Sequence, residues 1–220
     1  MKLLREENKM KKFELTTETK INIFGKKLFR IKALISFGPI SAGEKGGWVE
    51  KEENLSQSGN AWVSGNAEVS GNAEVSGNAE VSGNAEVSGN AEVSGNAEVS
   101  GNAYVRGNAC VCDNACVRGN AMVSGNAMVS GDAEVSGNAW VRGNAWVRGN
   151  ADYTTIHGFG TQFRTTTFFR CKDKEIRVSC GCFFGTLSEF REQVKRTRKG
   201  KVAEEYLMIA DLMEKHFKEE

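Results

Sequence analysis

VSGNAEVSGNAEVSGNAE, residues 63–80, is one hexad written three times, and it lies within a tract, residues 59–152, that repeats the unit with few changes. A valine falls at every sixth position from Val63 to Val147, and an alanine at every sixth from Ala61 to Ala151. The unit is Val-Ser-Gly-Asn-Ala-x. Alanine and valine stand two apart, so in an extended strand they share one face, while x and the residue after valine share the other. Gly-Asn interrupts each strand, and those residue types accept the left-handed backbone that a tight corner needs. The tract therefore predicts a short strand and a corner, fifteen times over.

Every strand has the same inside and outside pattern, which ordinary hairpins cannot satisfy and a solenoid can. With three strands per turn, residues eighteen apart stack at roughly 4.8 Å, and the Val and Ala columns fill a narrow dry core. Disordered low-complexity chains lack such unbroken apolar columns. About five coils are expected, with Asn60, Asn78, Asn96 and Asn114 placed to form an amide ladder at one corner. The hexad, aliphatic at its first position and small at its fifth, resembles the hexapeptide-repeat, left-handed parallel β-helix family. The handedness is what that resemblance implies, since the period alone is silent on it. An ice-binding surface would require outward Thr columns, and the tract has none.

Sorted by eighteen, the outward x residues form three columns. One runs Trp62, Glu80, Glu98, Cys116, Glu134, Asp152; the second Glu68, Glu86, Tyr104, Met122, Trp140; the third Glu74, Glu92, Cys110, Met128, Trp146. The last two change from acidic to apolar along the axis. Arg106 and Arg142 belong to the second, and Arg148 stands beside Trp146. An apolar strip of Tyr104, Met122, Met128, Trp140 and Trp146, with Arg142 and Arg148, is expected to be covered by the chain's own C-terminal tail, by other copies in a homotrimer, or by a protein partner. The stacked pairs Glu68/Glu86, Glu74/Glu92 and Glu80/Glu98 repel one another unless solvent, cations or a basic partner screen them. They are read as a solvated acidic face, with a docking strip for a basic partner as the sharper alternative.

Three segments are expected: an N-terminal β-rich cap over residues 1–54, the repeat over 55–153 and an α+β unit over 154–220. Residues 1–9 read as a loose extension. KFELTTETKINIFGKKLFRIKALISF, residues 12–37, suggests a hairpin around Gly25-Lys26-Lys27 that shields the first coil from edge pairing. After Tyr153 the period stops. TTTFFRCKDKEIRVSCGCFFG reads as a β-hairpin turning near Lys172-Asp173-Lys174. Thr186-Leu187-Ser188-Glu189 is a capping box for a helix presenting Leu187, Phe190 and Val194, which Gly200 should end. A second amphipathic helix presents Tyr206, Ile209, Ala210, Met213 and Phe217. The fold class expected is mainly β, a left-handed parallel β-helix with a small N-terminal β cap and a C-terminal ββαα tail. ELTTETK, FGKKLFRIKALISFG, GGWVEKEENLSQSGNAWV and the tail TTTFFRCKDKEIRVSCGCFFGTLSEF extend the resemblance to uncharacterised hexapeptide-repeat proteins of phages, prophages and bacterial genomes. That resemblance implies a fold and a phage association, and no activity.

The net charge of +1 conceals an uneven layout, with 1 basic against 8 acidic residues in 51–100 and 13 against 11 in 151–220. This does not resemble a basic nucleic-acid arm. No run of eighteen apolar residues suggests a membrane span, and MKLLREENKMKK lacks the apolar core of a secretory signal. A cytoplasmic location is expected, with all six cysteines as free thiols. Hexapeptide-repeat acyltransferases use a surface histidine and projecting loops, and the carbonic anhydrases of that fold use three histidines on a metal. Residues 59–152 contain no histidine and no insertion; His157 and His216 lie in the tail, where surface or helix roles are expected. Cys171, Cys180 and Cys182 would need a fourth ligand to hold zinc, and their CxC spacing is weaker than paired CxxC, so no metal or cofactor is expected. Lys195, Arg196, Arg198, Lys199 and Lys201 read as a solvated interhelix turn rather than a phosphate site. The expectation is a non-enzymatic structural or protein-binding scaffold. The alternatives are an acyltransferase-like enzyme and nucleic-acid binding through that basic turn, while a small-ligand site between protomers stays open.

Overall fold

The computed structural model describes residues 10–218; the N-terminal extension expected over residues 1–9 lies outside them. β1 (Phe13–Ile21) and β2 (Lys27–Ala33) form an antiparallel hairpin, and β3 (Lys45–Val49) pairs antiparallel with β2. On its other edge β3 pairs in parallel with the repeat, Trp48 against Glu68 and Val49 against Val69. Fifteen two-residue strands follow, β4 (Trp62–Val63) to β18 (Trp146–Val147), in three parallel sheets of a β-solenoid with residues eighteen apart in register. The Val and Ala columns are almost wholly excluded from solvent and form one continuous core. Burying each valine contributes roughly 1.5–3 kcal/mol, which is how two-residue strands persist.

About six turns are present where five were expected. Val49 and Leu55 act as two further rungs, since Leu55 bridges in parallel to Val75 just as Val49 pairs with Val69. Both pairings span twenty residues rather than eighteen, because Leu55 to Val63 is two residues longer than a hexad. Corner glycines carry the positive φ that the sequence suggested. A Cβ on Gly101, at φ 71°, would stand 3.0 Å from backbone N and O of Gly119 in the next coil, and backbone cannot step aside. Asp113 is the exception at φ 61°; its carboxylate accepts the Gly131 N–H at 3.0 Å. The amide ladder expected at one corner occupies all three. Asn60 leads through Asn78, Asn96 and Asn114 to Asp132; Asn66 leads to Asn138 and Asn72 to Asn144, each Nδ2 donating to the next Oδ1 at 2.9–3.2 Å.

The tail holds more strand than the expected ββαα. β19 (Tyr153–Phe159), β20 (Arg164–Arg170), β21 (Ile176–Cys180) and β22 (Phe183–Thr186) make a four-stranded antiparallel sheet, the anticipated hairpin being its middle pair. Strand alternation gives β20 two duties: Phe169 plugs the open end of the solenoid core, while Phe168 packs with the helices. α1 (Leu187–Thr197) begins at the predicted capping box, with the Glu189 carboxylate accepting Thr186 N–H at 2.7 Å and Thr186 Oγ1 accepting Glu189 N–H at 3.1 Å. The predicted face of α1 is buried, as is that of α2 (Gly200–His216), which Phe217 extends. Gly200 opens α2 instead of closing α1, because Arg198 and Lys199 are already extended. No helix among the described residues is long and apolar enough to cross a membrane.

Candidate functional site

The solenoid leaves little freedom inside. Val and Ala are buried, Gly and Asn form corners, and only the x position and the residue after valine face outward. Pairing places Tyr104, Met122 and Trp140 in one stack and Met128 and Trp146 in another, on different sheets. The apolar residues thus occupy two faces of the triangle. Trp140 and Met128 are each 39% exposed, while Tyr104, Met122 and Trp146 are half-buried.

The tail closes the end of the solenoid and covers the apolar columns only in part. Phe184 sits where a further coil would pass over the Gly143 corner, its ring 2.6 Å from the position of a Cβ there. Arg142 donates from Nη2 to the Phe183 carbonyl at 2.7 Å, and its guanidinium lies 4.8 Å from the Phe184 ring centroid and 5.7 Å from that of Trp140. Arg148 lies 4.7 Å over Trp146, and its Nε stands 3.4 Å from Asp152. Asp152 also holds Arg170 at 3.3 Å, so Arg148 joins a network that fixes the tail.

Two concavities flank this junction. The larger, about 680 Å³, opens between the Trp140 face and the tail sheet, with Asn138, Trp140, Arg142, Phe163, Arg164 and Ser179 among its lining. His157 and Cys182 also reach it, and among the described residues no Asp or Glu does. The second, about 550 Å³, lies on the next face beside Met128, Trp146, Lys172 and Asp173. Phe163, Arg164 and Ser179 were not singled out by sequence, since nothing in their local pattern places them opposite Trp140.

The six glutamates ring the N-terminal coils, two per sheet, rather than sharing one face. Glu68 pairs with Lys20 from β1 at 2.7 Å. Glu86 is 8% exposed, and burial raises its carboxyl above the usual range, with neighbouring Glu68 adding to the shift. The hairpin turn beyond Glu68 exposes Ile23 and Phe24, which the sequence reading passed over.

The remaining chemical candidates are dispersed. Burial pushes the Cys110 thiol up to about 12 and Cys171 up to about 11, which withholds the reactive thiolate at neutral pH. Cys180 receives the Thr166 hydroxyl at 3.2 Å, and among the described residues no group of three or more His, Cys, Asp or Glu side chains is arranged to hold a metal. His157 Nδ1 lies 3.3 Å from Thr165 Oγ1, and His216 packs on Phe217, both at the surface. In the basic turn, Lys195 pairs with Glu192 at 2.9 Å and Lys201 with Glu205 at 3.6 Å. No known protein family and no curated protein matches the chain.

Proposed function

We propose that this chain is a non-enzymatic binding scaffold: a rod of coils that sets an acidic zone and an aromatic, arginine-bearing zone at fixed spacing and engages a protein partner through the latter. The observation that supports it is the division of labour along two of the three outward columns, where glutamate in the first coils gives way to Tyr104, Met122, Met128, Trp140 and Trp146 toward the tail. The interior of every coil is committed to packing and the corners to ladders, so what the rod presents is set by x and by the residue after valine. Aromatic side chains and arginine are the types that carry most interface energy. A cytoplasmic location and the phage or prophage association implied by the family resemblance belong to this proposal. A homotrimer is the competing occupant of the same columns.

Affinity capture from host lysate with the wild-type chain, the Trp140→Ala/Trp146→Ala double variant and the variant with Gln at all six glutamates tests it. The expected result is a protein retained by the wild type and the glutamine variant, and lost by the double variant. Equal recovery on all three would reject the aromatic zone as the site, and a trimeric mass by light scattering would assign the columns to self-association.

A further inference from the structure

The cleft between Trp140 and the tail sheet carries an unbalanced set of donors. Arg142 is half-buried between two aromatic rings, and its buried Nε has no hydrogen-bond partner among the described residues. Removal from water without a counter-charge pulls its pKa below the ordinary arginine value. Arg164 is exposed at the rim and has no carboxylate partner among the described residues. Ser179 is only 2% exposed, lines the same cleft, and its Oγ is also without a partner among the described residues.

The solenoid adds to this imbalance. In a typical hexad, the amides of Asn, x and Ser donate forward to Gly, Ala and Val carbonyls of the next coil, as in Asn84 to Gly101, Glu86 to Ala103 and Ser88 to Val105. The side-chain ladders run in the same sense, as their head shows, where Lys51 Nζ donates to Asn72 Oδ1. Asn138 ends one ladder, accepting from Asn120 and passing no ladder bond onward, and it lines the cleft. Unsatisfied donors around a concavity with no acid among the described residues of its wall select an acceptor, and two guanidiniums select an anion. The apolar share of the wall is the Trp140 face and the exposed Phe163 ring, and aromatic surfaces take flat rings.

We propose that this cleft binds a small ligand in which a flat ring carries a phosphate or carboxylate, the ring held against Trp140 and Phe163 and the acid between Arg142 and Arg164. The proposal rests on the reading of the junction as the binding end of the scaffold, and it adds a ligand distinct from the protein partner. A phosphate and a carboxylate share this recognition chemistry, and their sources are separated by the probes.

Isothermal titration calorimetry on the full chain uses adenosine monophosphate, phenyl phosphate and indole acetate as conjugates, with adenosine, phenol and indole as their ring halves and inorganic phosphate and acetate as their acid halves. At least one conjugate should bind about tenfold or more tightly than either half, the increment of one charge-assisted contact. Arg164→Gln, a rim change that leaves the core untouched, should weaken that conjugate about tenfold and leave its ring half unchanged. Trp140→Leu should weaken the conjugate and leave its acid half unchanged, while Trp146→Leu, in the other concavity, should alter neither. Absence of heat with every conjugate, equal affinity for the acid half alone, or indifference to Arg164→Gln would each overturn the proposal. Silent calorimetry alongside protein capture that still requires Trp140 removes the ligand and keeps the scaffold; ligand binding with capture unaffected by the double variant does the reverse.

Discussion

The two ends of the solenoid are closed by opposite chemistry. At the N-terminal end the first coil presents carbonyls, and what meets them donates. Asn54, wholly buried, gives its Nδ2 to Ala73 O at 2.8 Å and Gly71 O at 3.2 Å. Lys12 Nζ reaches Ala61 O at 2.9 Å, and the amides of Trp48, Glu50 and Ser56 cover Ala67, Val69 and Val75. At the C-terminal end the last coil presents amides, and what meets them accepts. Thr167 Oγ1 takes Trp140 N–H at 3.0 Å, Asn150 Oδ1 takes Glu134 N–H at 2.8 Å, Tyr153 Oη takes Ser136 N–H at 3.3 Å, and Asp152 takes Arg148 N–H at 2.9 Å. A stack of coils whose amides donate mainly forward has a donor end and an acceptor end, and buried backbone groups at both must be satisfied. Each cap is therefore more than a lid against edge pairing. It is the complementary half of a polar surface, and the two caps cannot be exchanged.

The largest effect should come from reversing the sign at the N-terminal end. Asn54→Asp replaces a donating amide with a carboxylate facing two carbonyls, and a loss of about 4 kcal/mol is expected in urea unfolding, since each orphaned buried group costs about 1–3 kcal/mol. Asn54→Leu should cost about 3 kcal/mol, because it orphans the same carbonyls, and the Lys51 N–H that Oδ1 accepts at 2.9 Å, without adding repulsion. If Asp were tolerated as well as Asn, the opposition between the ends would be lost.

The matching change at the other end is smaller, because one amide is at stake. Thr167→Val keeps the shape and removes the acceptor for Trp140 N–H, and a loss of about 1–2 kcal/mol is expected. Thr167→Ser retains the hydroxyl and should stay within about 0.5 kcal/mol of wild type. Equal losses for Val and Ser would assign the effect to packing of the methyl group.

Between the ends, the glutamate columns belong to the N-terminal half and work against it. Glu86 is buried beside Glu68, so its charge is disfavoured in the folded state and its folded pKa exceeds the unfolded value. Stability from this group is greatest below the unfolded pKa, near 4.5, and falls as pH rises through the folded pKa. Glu86→Gln should raise stability at neutral pH by about 0.5–1 kcal/mol and flatten that part of the pH profile. A neutral-pH loss would mean that the contacts with Ser88 and Arg106 outweigh the repulsion.

How far the sequence could be read follows from the range of each contact. The coil interior, the corners, the capping box and both helix faces were legible because each depends on spacing within a few residues or on an unbroken period. The rungs at Val49 and Leu55 were missed, although the two stand six apart, because the two extra residues before Val63 break a strict count of six. The outer strands of the tail sheet were missed because Tyr153–Phe159 and Phe183–Thr186 are ordered by pairing with β20 and β21. The cleft was the least legible feature. Its walls come from residues 138–142 and 157–182, and whether the Arg142 Nε or the Ser179 hydroxyl finds a partner is decided only when those walls meet.

The smallest expected effect concerns a buried capping donor that can lose its charge. Lys12 is 3% exposed, its ammonium sits 5.0 Å from the Phe37 ring centroid, and burial lowers its pKa to about 8 from an ordinary 10.5. Below pH 8 both states carry the charge, and the folded state bears a constant desolvation cost. Between pH 8 and 10.5 the unfolded chain holds more protons at this site than the folded one, so the contribution of Lys12 to stability rises with pH, then levels off. The buried thiols act in the opposite sense. Cys110 and Cys171 keep their protons to about 12 and about 11 when folded but lose them near 9.0 when unfolded, so their contribution falls as pH rises past 9. The wild-type profile between pH 8 and 10.5 is therefore the difference of two slopes, and Lys12→Met should leave only the falling one. Urea midpoints at half-unit steps across that window measure it: the variant, less stable throughout for want of a donor to Ala61, should decline more steeply than wild type. Parallel profiles would mean that the Lys12 ammonium is as well solvated by its carbonyl partners as by water.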